Sequence, residues 1–263
     1  MSTNGFSTTT LHSDRRLGTE CGAVHKPIHP SAQYAFEKAE DLIAVFQGRP
    51  GFSYARQGTP TTAALEAQIT QMENGLNTVT FATGMAALAA VFLTLLRKGD
   101  HVISSQYIFG NTNSLLGTLQ NFGVEVTLVD ATDVTAVQAA RRPETRMVFV
   151  ESLANPGTHV ADLKGIGDWC AAEGLLYVLD NTLTTPWLCT GKSVGASLVV
   201  NSLSKHIGGH ANALGGAVTD TGLFDWSSYP NIAEPYRSGN SAGWGLTQIK
   251  KKGLRDMGAT LSS

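Results

Sequence analysis

Charge is scarce in this chain. Only 15% of its 263 residues are Asp, Glu, Lys or Arg, and the formal net charge is −2. That balance argues against a broad electrostatic grip on nucleic acid or on an anionic membrane surface, since both need a surplus of Lys and Arg. Cysteine is scarcer still: Cys21, Cys170 and Cys189 are odd in number and form no C-x-x-C pair. A disulfide framework is therefore not expected, and a reduced, cytoplasmic setting fits better. The polar opening MSTNGFSTTTLHSDRR has no apolar core of the kind a secretory signal requires. One uncharged stretch, residues 79–96 (VTFATGMAALAAVFLTLL), has the length of a membrane span. Its β-branched front and the interruption at Thr83-Gly84 instead read as strand, turn and helix. No His/Asp/Glu cluster has metal-ligand spacing, so no metal site is expected.

What is present is a regular alternation. Hydrophobic residues make up 42% of the chain, enough to bury one large core. Residues 1–58 lack sustained periodicity and read as an extended N-terminal arm, with YAFEKAEDLIAVFQG as one short helix. From Thr59 the texture changes. TPTTAALEAQITQMENG has an N-cap Thr, Pro at the first helical position and a closing Asn-Gly. Strands are then expected at 77–81, 101–105, 124–130, 146–152, 175–180 and 196–202, separated by the helical patterns GMAALAAVFLTLLRKG, TNSLLGTLQNFG, DVTAVQAARR and DLKGIGDWCAAEG. Strands that are apolar throughout, alternating with helices, imply an α/β fold: a mostly parallel sheet with helices on both faces. Ligands of such sheets bind beyond the carboxyl ends of the strands.

The stretch at one such end, VVNSLSKHIGGHANALGG (residues 199–216), carries the chemistry. Lys205 is either a surface lysine or a lysine desolvated behind a buried strand. In the second case its pKa is lowered and its amine is a nucleophile able to form a Schiff base with an aldehyde. Ser202-Leu203-Ser204-Lys205 also spells S-x-x-K, but the S-D-N and K-T-G elements of the penicillin-binding enzymes are missing. PWLCTGKS (186–193) resembles a P-loop, yet Pro186 stands where the first glycine is needed. Thr83-Gly84-Met85 opens a helix. That turn is either a plain tight connection or a phosphate cradle of free N–H groups, to which Ser202 and Ser204 could add hydroxyl donors. Asp180, ending LLYVLD, suits an N-cap or a partner for a pyridinium nitrogen. A Lys Schiff base, an Asp for a ring nitrogen and a phosphate cradle are together what pyridoxal phosphate requires. Phe109 or Tyr107 of QYIFGN offers a ring to stack on it.

YARQGTPTTAALE, FATGMAAL, GDHV, FGNTNSL, ESLANP, VLDNT and NSLSKHIGGHANALGG, in this order over about residues 50–220, resemble the Cys/Met-metabolism family of pyridoxal-phosphate enzymes. That family includes cystathionine γ-synthase, O-acylhomoserine sulfhydrylases, cystathionine lyases and methionine γ-lyase. The resemblance implies an aspartate-aminotransferase-like (fold type I) large domain at 59–250, with residues 251–263 beginning a C-terminal domain. It implies that Lys205 carries pyridoxal 5'-phosphate as a Schiff base and moves protons among the substrate carbons. Asp180 would pair with the pyridinium nitrogen, Gly84, Met85, Ser202 and Ser204 would hold the phosphate, and Asn155 would touch the ring hydroxyl. Tyr54 and Arg56 would reach the phosphate of a neighbouring subunit in a homodimer or homotetramer that shares its sites, the arm serving assembly.

Two departures bear on function. Most members of the family have Tyr-Gly-Gly-Thr where this chain has Phe109-Gly110-Asn111-Thr112. Phenylalanine stacks but has no hydroxyl for acid–base work; a subset of γ-replacing members looks similar here, so the resemblance tilts the expectation toward γ-replacement on an O-acylhomoserine by a sulfur nucleophile. The alternatives are a γ- or β-lyase, or an inactive cofactor-binding protein. The chain also stops where the family's C-terminal domain begins, so the arginine that grips the substrate carboxylate has no assigned residue here.

Overall fold

The computed structural model describes residues 5–257. Among them, seven strands form one sheet in the order β1-β7-β6-β5-β4-β2-β3. The strands are β1 (Asn77–Phe81), β2 (His101–Ser105), β3 (Glu125–Val129), β4 (Thr145–Glu151), β5 (Leu176–Asp180), β6 (Leu198–Ser202) and β7 (Gly216–Asp220). From β3 through β6 all pairings are parallel, whereas β7 runs antiparallel to both β6 and β1. The mostly parallel sheet expected from the alternation is present. Only β7 has no counterpart among the expected strands, because GAVTD is short, begins on glycine and lacks an apolar run.

The helices are α1 (Phe6–His12), α2 (Ala39–Phe46), α3 (Pro60–Met72), α4 (Gly84–Leu95), α5 (Gly110–Asn121), α6 (Val134–Ala139), α7 (Leu163–Glu173), the short α8 (Thr185–Leu188) and α9 (Trp244–Gln248). They cover both faces of the sheet, and the side-chain period of two divides the core between them. Val102, Met147, Phe149, Val178 and Val200 face α4 and α5; Ile103, Val148, Val150, Leu179 and Val199 face α6 and α7. Phe92 of α4 meets Phe149 of β4 edge to face at 5.4 Å between ring centroids.

Helix α4 is buried almost all round, which explains its membrane-like composition. The sheet covers one side. The chain after β7 covers the other, ending in one stretch of π-helix over Ile249–Asp256. That tail is fastened by polar bonds: Tyr229 donates to the Leu95 carbonyl at 3.0 Å, and Gln248 Nε2 donates to the Thr94 carbonyl at 2.7 Å. No helix among the described residues is long and apolar enough to cross a membrane.

Thr59 caps α3 as the sequence indicates, accepting the Thr62 N–H on Oγ1 at 3.0 Å, with Pro60 first in the helix. Before it, the arm is largely half-buried or exposed, and α2 buries no residue. Residues 251–257 continue the π-helical stretch packed beside α4, with Gly253 next to Ala90 and Phe81. The remainder of the expected C-terminal beginning, 258–263, lies outside the described residues, as do 1–4.

Candidate active site

The carboxyl ends of β4, β5 and β6 and the N-terminus of α4 enclose a cavity of about 240 Å³. It is lined by eight of the residues singled out in the sequence: Gly84, Met85, Phe109, Asn155, Asp180, Ser202, Ser204 and Lys205. They come from five separate segments, joined here only because strand ends converge at one edge of a parallel sheet.

Thr83 builds one wall. Its Oγ1 accepts the Ala86 N–H at 3.0 Å and its carbonyl accepts the Ala87 N–H at 3.1 Å. The first two N–H groups of α4, on Gly84 and Met85, are thereby left for an outside acceptor, where the helix dipole favours an anion. Gly84 cannot be larger: a Cβ there would lie 2.7 Å from Ser202 Cβ and 2.8 Å from its Oγ. The helix start is thus pressed against the end of β6, whose Ser202 Oγ lies 2.9 Å from Ser204 Oγ. Two hydroxyls and two free amides gathered around one point suit a phosphate group.

Asp180 Oδ1 accepts both the N–H and the Oγ–H of Thr182, at 3.0 and 2.5 Å. No donor among the described residues reaches its other oxygen. Burial pushes its carboxyl above the usual carboxylate range, the Thr182 bonds offsetting part of that rise. A cation brought to the free oxygen would relieve the penalty, as a protonated ring nitrogen does. Of the two aromatics proposed for stacking, Phe109 lines the cavity. Tyr107 is engaged elsewhere: it stacks on His159 at 4.0 Å, and its hydroxyl donates to Asp130 at 3.4 Å.

Lys205 is exposed, not desolvated. The buried strand β6 ends at Ser202, and the lysine sits three residues further on in a turn whose amides bond to the Ser202 and Leu203 carbonyls. Tyr54 and Arg56, expected to act on a neighbouring subunit, do not line this chain's own cavity. Arg56 donates to the carbonyls of Leu254 and Arg255, at 3.2 and 2.7 Å, and stands 5.5 Å from the Tyr54 ring. Both line a larger cavity of about 760 Å³ on the far side of the 203–215 segment. That cavity is mainly apolar, with Leu65, Ile69, Phe81 and Leu203 among its walls, and it lacks the convergent polar groups of the smaller one.

Glu151 was missed. It ends β4, lines the cavity beside Asp180, and accepts the Phe109 N–H on Oε1 at 2.7 Å. Burial pushes its pKa up to about 7, the Phe109 amide opposing and the Asp180 charge reinforcing that rise. An acid closing the apolar run RMVFVE was the available signal, and it equals the one that marked Asp180 in LLYVLD.

The residues present fit pyridoxal phosphate on two structural grounds: the unpaired carboxyl oxygen of Asp180, and the cradle at Gly84 that a single Cβ would fill. Comparisons with known proteins agree. The model of the Cys/Met metabolism PLP-dependent enzymes matches residues 7–263. An O-acetyl-L-homoserine sulfhydrylase of Corynebacterium glutamicum is 32% identical over 98% of this chain and 63% of its own. An L-methionine gamma-lyase of Pseudomonas putida is 36% identical over 98% and 60%, and a cystathionine gamma-synthase of Mycobacterium leprae is 36% identical over 81% and 54%. The chain therefore spans about 54 to 63% of the length of these relatives. Among solved structures, one from Campylobacter jejuni, provisionally an O-acetylhomoserine (thiol)-lyase, carries a pyridoxyl-lysine monophosphate. It superposes with a TM-score of 0.84 at 25% identity, over 97% of this chain and 71% of its own. The fold, the cofactor-shaped site and these matches lead to one conclusion: the chain belongs to the family of Cys/Met metabolism PLP-dependent enzymes.

Proposed function

We propose that this chain carries the cofactor-binding part of an enzyme that performs γ-replacement on an O-acylhomoserine, using sulfide or cysteine as the sulfur nucleophile. The observation that carries the reading is a single cavity lined by an amine, an unpaired carboxylate, an aromatic ring and a phosphate-type cradle. Phe109 stands where most of the family has tyrosine, and the resemblance of this segment to γ-replacing members is what favours replacement over elimination.

Bound pyridoxal phosphate supplies the electron sink that makes the substrate's Cα–H and Cβ–H acidic. Lys205 would hold the cofactor through Nζ, and the same amine, when free, would serve as general base for the Cα proton. The Asp180 carboxylate keeps the ring nitrogen protonated. Ser202, Ser204 and the Gly84 and Met85 amides bind the phosphate, Phe109 stacks on the ring, and Asn155 meets the ring hydroxyl. Tyr54 and Arg56 act on the phosphate of a neighbouring subunit in a homodimer or homotetramer of the cytoplasm, with residues 1–58 as the assembling arm.

Product analysis tests this reading. The cofactor-loaded protein is given O-acetyl- or O-succinylhomoserine with and without sulfide or cysteine. Homocysteine or cystathionine that forms only with the nucleophile supports replacement. Ketoacid formed without any thiol identifies a lyase, and a loaded protein that yields no product is an inactive cofactor binder.

A further inference from the structure

Behind the strand ends, on the side away from the cavity, lies a carboxylate that the proposed function does not use. Glu73 closes α3 and is fully buried. Its Oε1 accepts Asn201 Nδ2 at 2.9 Å and Asn181 Nδ2 at 3.2 Å, and its Oε2 accepts the Gly191 N–H at 3.0 Å. All three partners are neutral. A buried carboxylate without a counter-ion is costly, and its place at a helix C-terminus, beside outward-facing carbonyls, makes it more so. Burial accordingly pushes the Glu73 carboxyl above the ordinary range. A position that had only to fill space would be better served by Leu or Met, so the acid needs another reason to be there.

Its partners supply one. Asn181 directly follows Asp180, and Asn201 directly precedes Ser202. Successive side chains along a strand point to opposite faces. Asp180 and Ser202 line the cavity, and the two asparagines turn the other way, to Glu73. Asn181 extends the network. Its Oδ1 accepts the Thr184 hydroxyl, and Thr184 Oγ1 lies 2.7 Å from the hydroxyl of Ser152, the residue after Glu151. The ends of β4, β5 and β6 thus each show one residue to the cavity and its neighbour to a continuous polar network. Asn201 Oδ1 is buried without a partner, so the hydrogen bond to Glu73 is what orients that side chain.

We propose that Glu73 is a positioning residue for the cofactor: through Asn181 and Asn201 it fixes the ends of β5 and β6 so that Asp180 and Ser202 are presented together. The inference rests on the pyridoxal-phosphate reading of the cavity.

The test compares the wild-type chain with Glu73→Gln and Asn201→Ala. The cofactor dissociation constant is read from the visible absorbance of the bound form, and the melting temperature is taken on the cofactor-free protein. Gln preserves shape but sets an amide N–H against a donor, and the cofactor dissociation constant should rise about tenfold or more. Asn201→Ala, which also removes an unpartnered carbonyl, should raise it several-fold at little cost in melting temperature. Glu73→Gln combined with Ser202→Ala should lose less affinity than the product of the single losses, as expected of residues acting in series. Gln248→Ala, which breaks buried hydrogen bonds of the tail, is the control: it should lower the melting temperature and leave the dissociation constant within about twofold. Glu73 and Asn201 variants that bind within about twofold of wild type overturn the inference alone, as does a control whose affinity falls with its melting temperature as far as theirs does. If Glu73→Gln fails to fold, Asn201→Ala decides by the same criterion. A wild-type chain that binds no cofactor overturns the cofactor reading, and this inference with it.

Discussion

Glu151 and Asp180 are register partners on adjacent parallel strands, and both carboxyls open on the same cavity. Two acids side by side in a partly enclosed space cannot both ionise cheaply. Burial raises both, and Glu151 is pushed to about 7.

A pH dependence follows for the cofactor-free chain. The native state holds a proton on Glu151 that the unfolded chain releases near the ordinary Glu value. The resulting stabilisation is complete below about pH 4.3 and is lost as pH rises to about 7. Glu151→Gln should flatten this decline, removing a slope worth up to about 3 kcal/mol between those limits. Denaturant midpoints at pH 4.5, 6 and 8, approximate values chosen to bracket the transition, measure it. Equal slopes for variant and wild type would show that Glu151 titrates normally.

Asp180→Asn should separate stability from function. The variant removes a carboxylate whose burial is unfavourable and keeps an oxygen for the Thr182 donors, so the cofactor-free chain should be as stable as wild type or more so. On the proposed role of Asp180, cofactor bound to the variant would lack the anion that faces the ring nitrogen, and turnover should fall by about a hundredfold or more. Melting curves and rate assays on one preparation check both halves.

Gly84→Ala places a methyl group 2.7 Å from Ser202 Cβ, with β6 backbone close behind at 3.1 Å. Relief requires the α4 terminus to move off β6, opening the cradle. The expected cost is about 1–3 kcal/mol in stability together with a marked loss of cofactor affinity. Full affinity in this variant would mean that the helix start does not hold the phosphate.

The central strands β4, β5 and β6 were legible because a parallel sheet buried on both faces writes them as apolar runs, MVFV, LYVL and LVV. NTVTF and HVISS, less apolar but β-branched and bounded by turns, became β1 and β2 residue for residue. The antiparallel β7 was invisible: two glycines precede AVTD, and its pairing with β1 joins residues far apart in the chain. Most of the candidate site was readable from strand ends, yet the two readings of Lys205 stayed open there because sequence does not show where a strand stops and a turn begins; the exposed one is what the fold gives. Glu151 and Glu73 were passed over for a related reason. An acid inside an apolar context signals only its oddity, and its use depends on which amides meet it from other segments. The separation of Tyr54 and Arg56 from the cavity follows the same logic, since their proposed target lies on another subunit.

Lys205→Ala should leave the cofactor-free fold almost untouched. The side chain is exposed, and its removal is expected to change stability by no more than about 0.5 kcal/mol. A larger loss in melting experiments would assign the lysine a structural contact.

Lys205 is the proposed point of attachment of the cofactor. The most direct test of this assignment is borohydride reduction of the purified protein after incubation with pyridoxal phosphate, followed by peptide mass mapping. A pyridoxyl phosphate mass on the peptide bearing Lys205, absent in Lys205→Ala, is the result predicted. A protein that stays colourless and unlabelled, or a label spread over other lysines, would contradict the assignment.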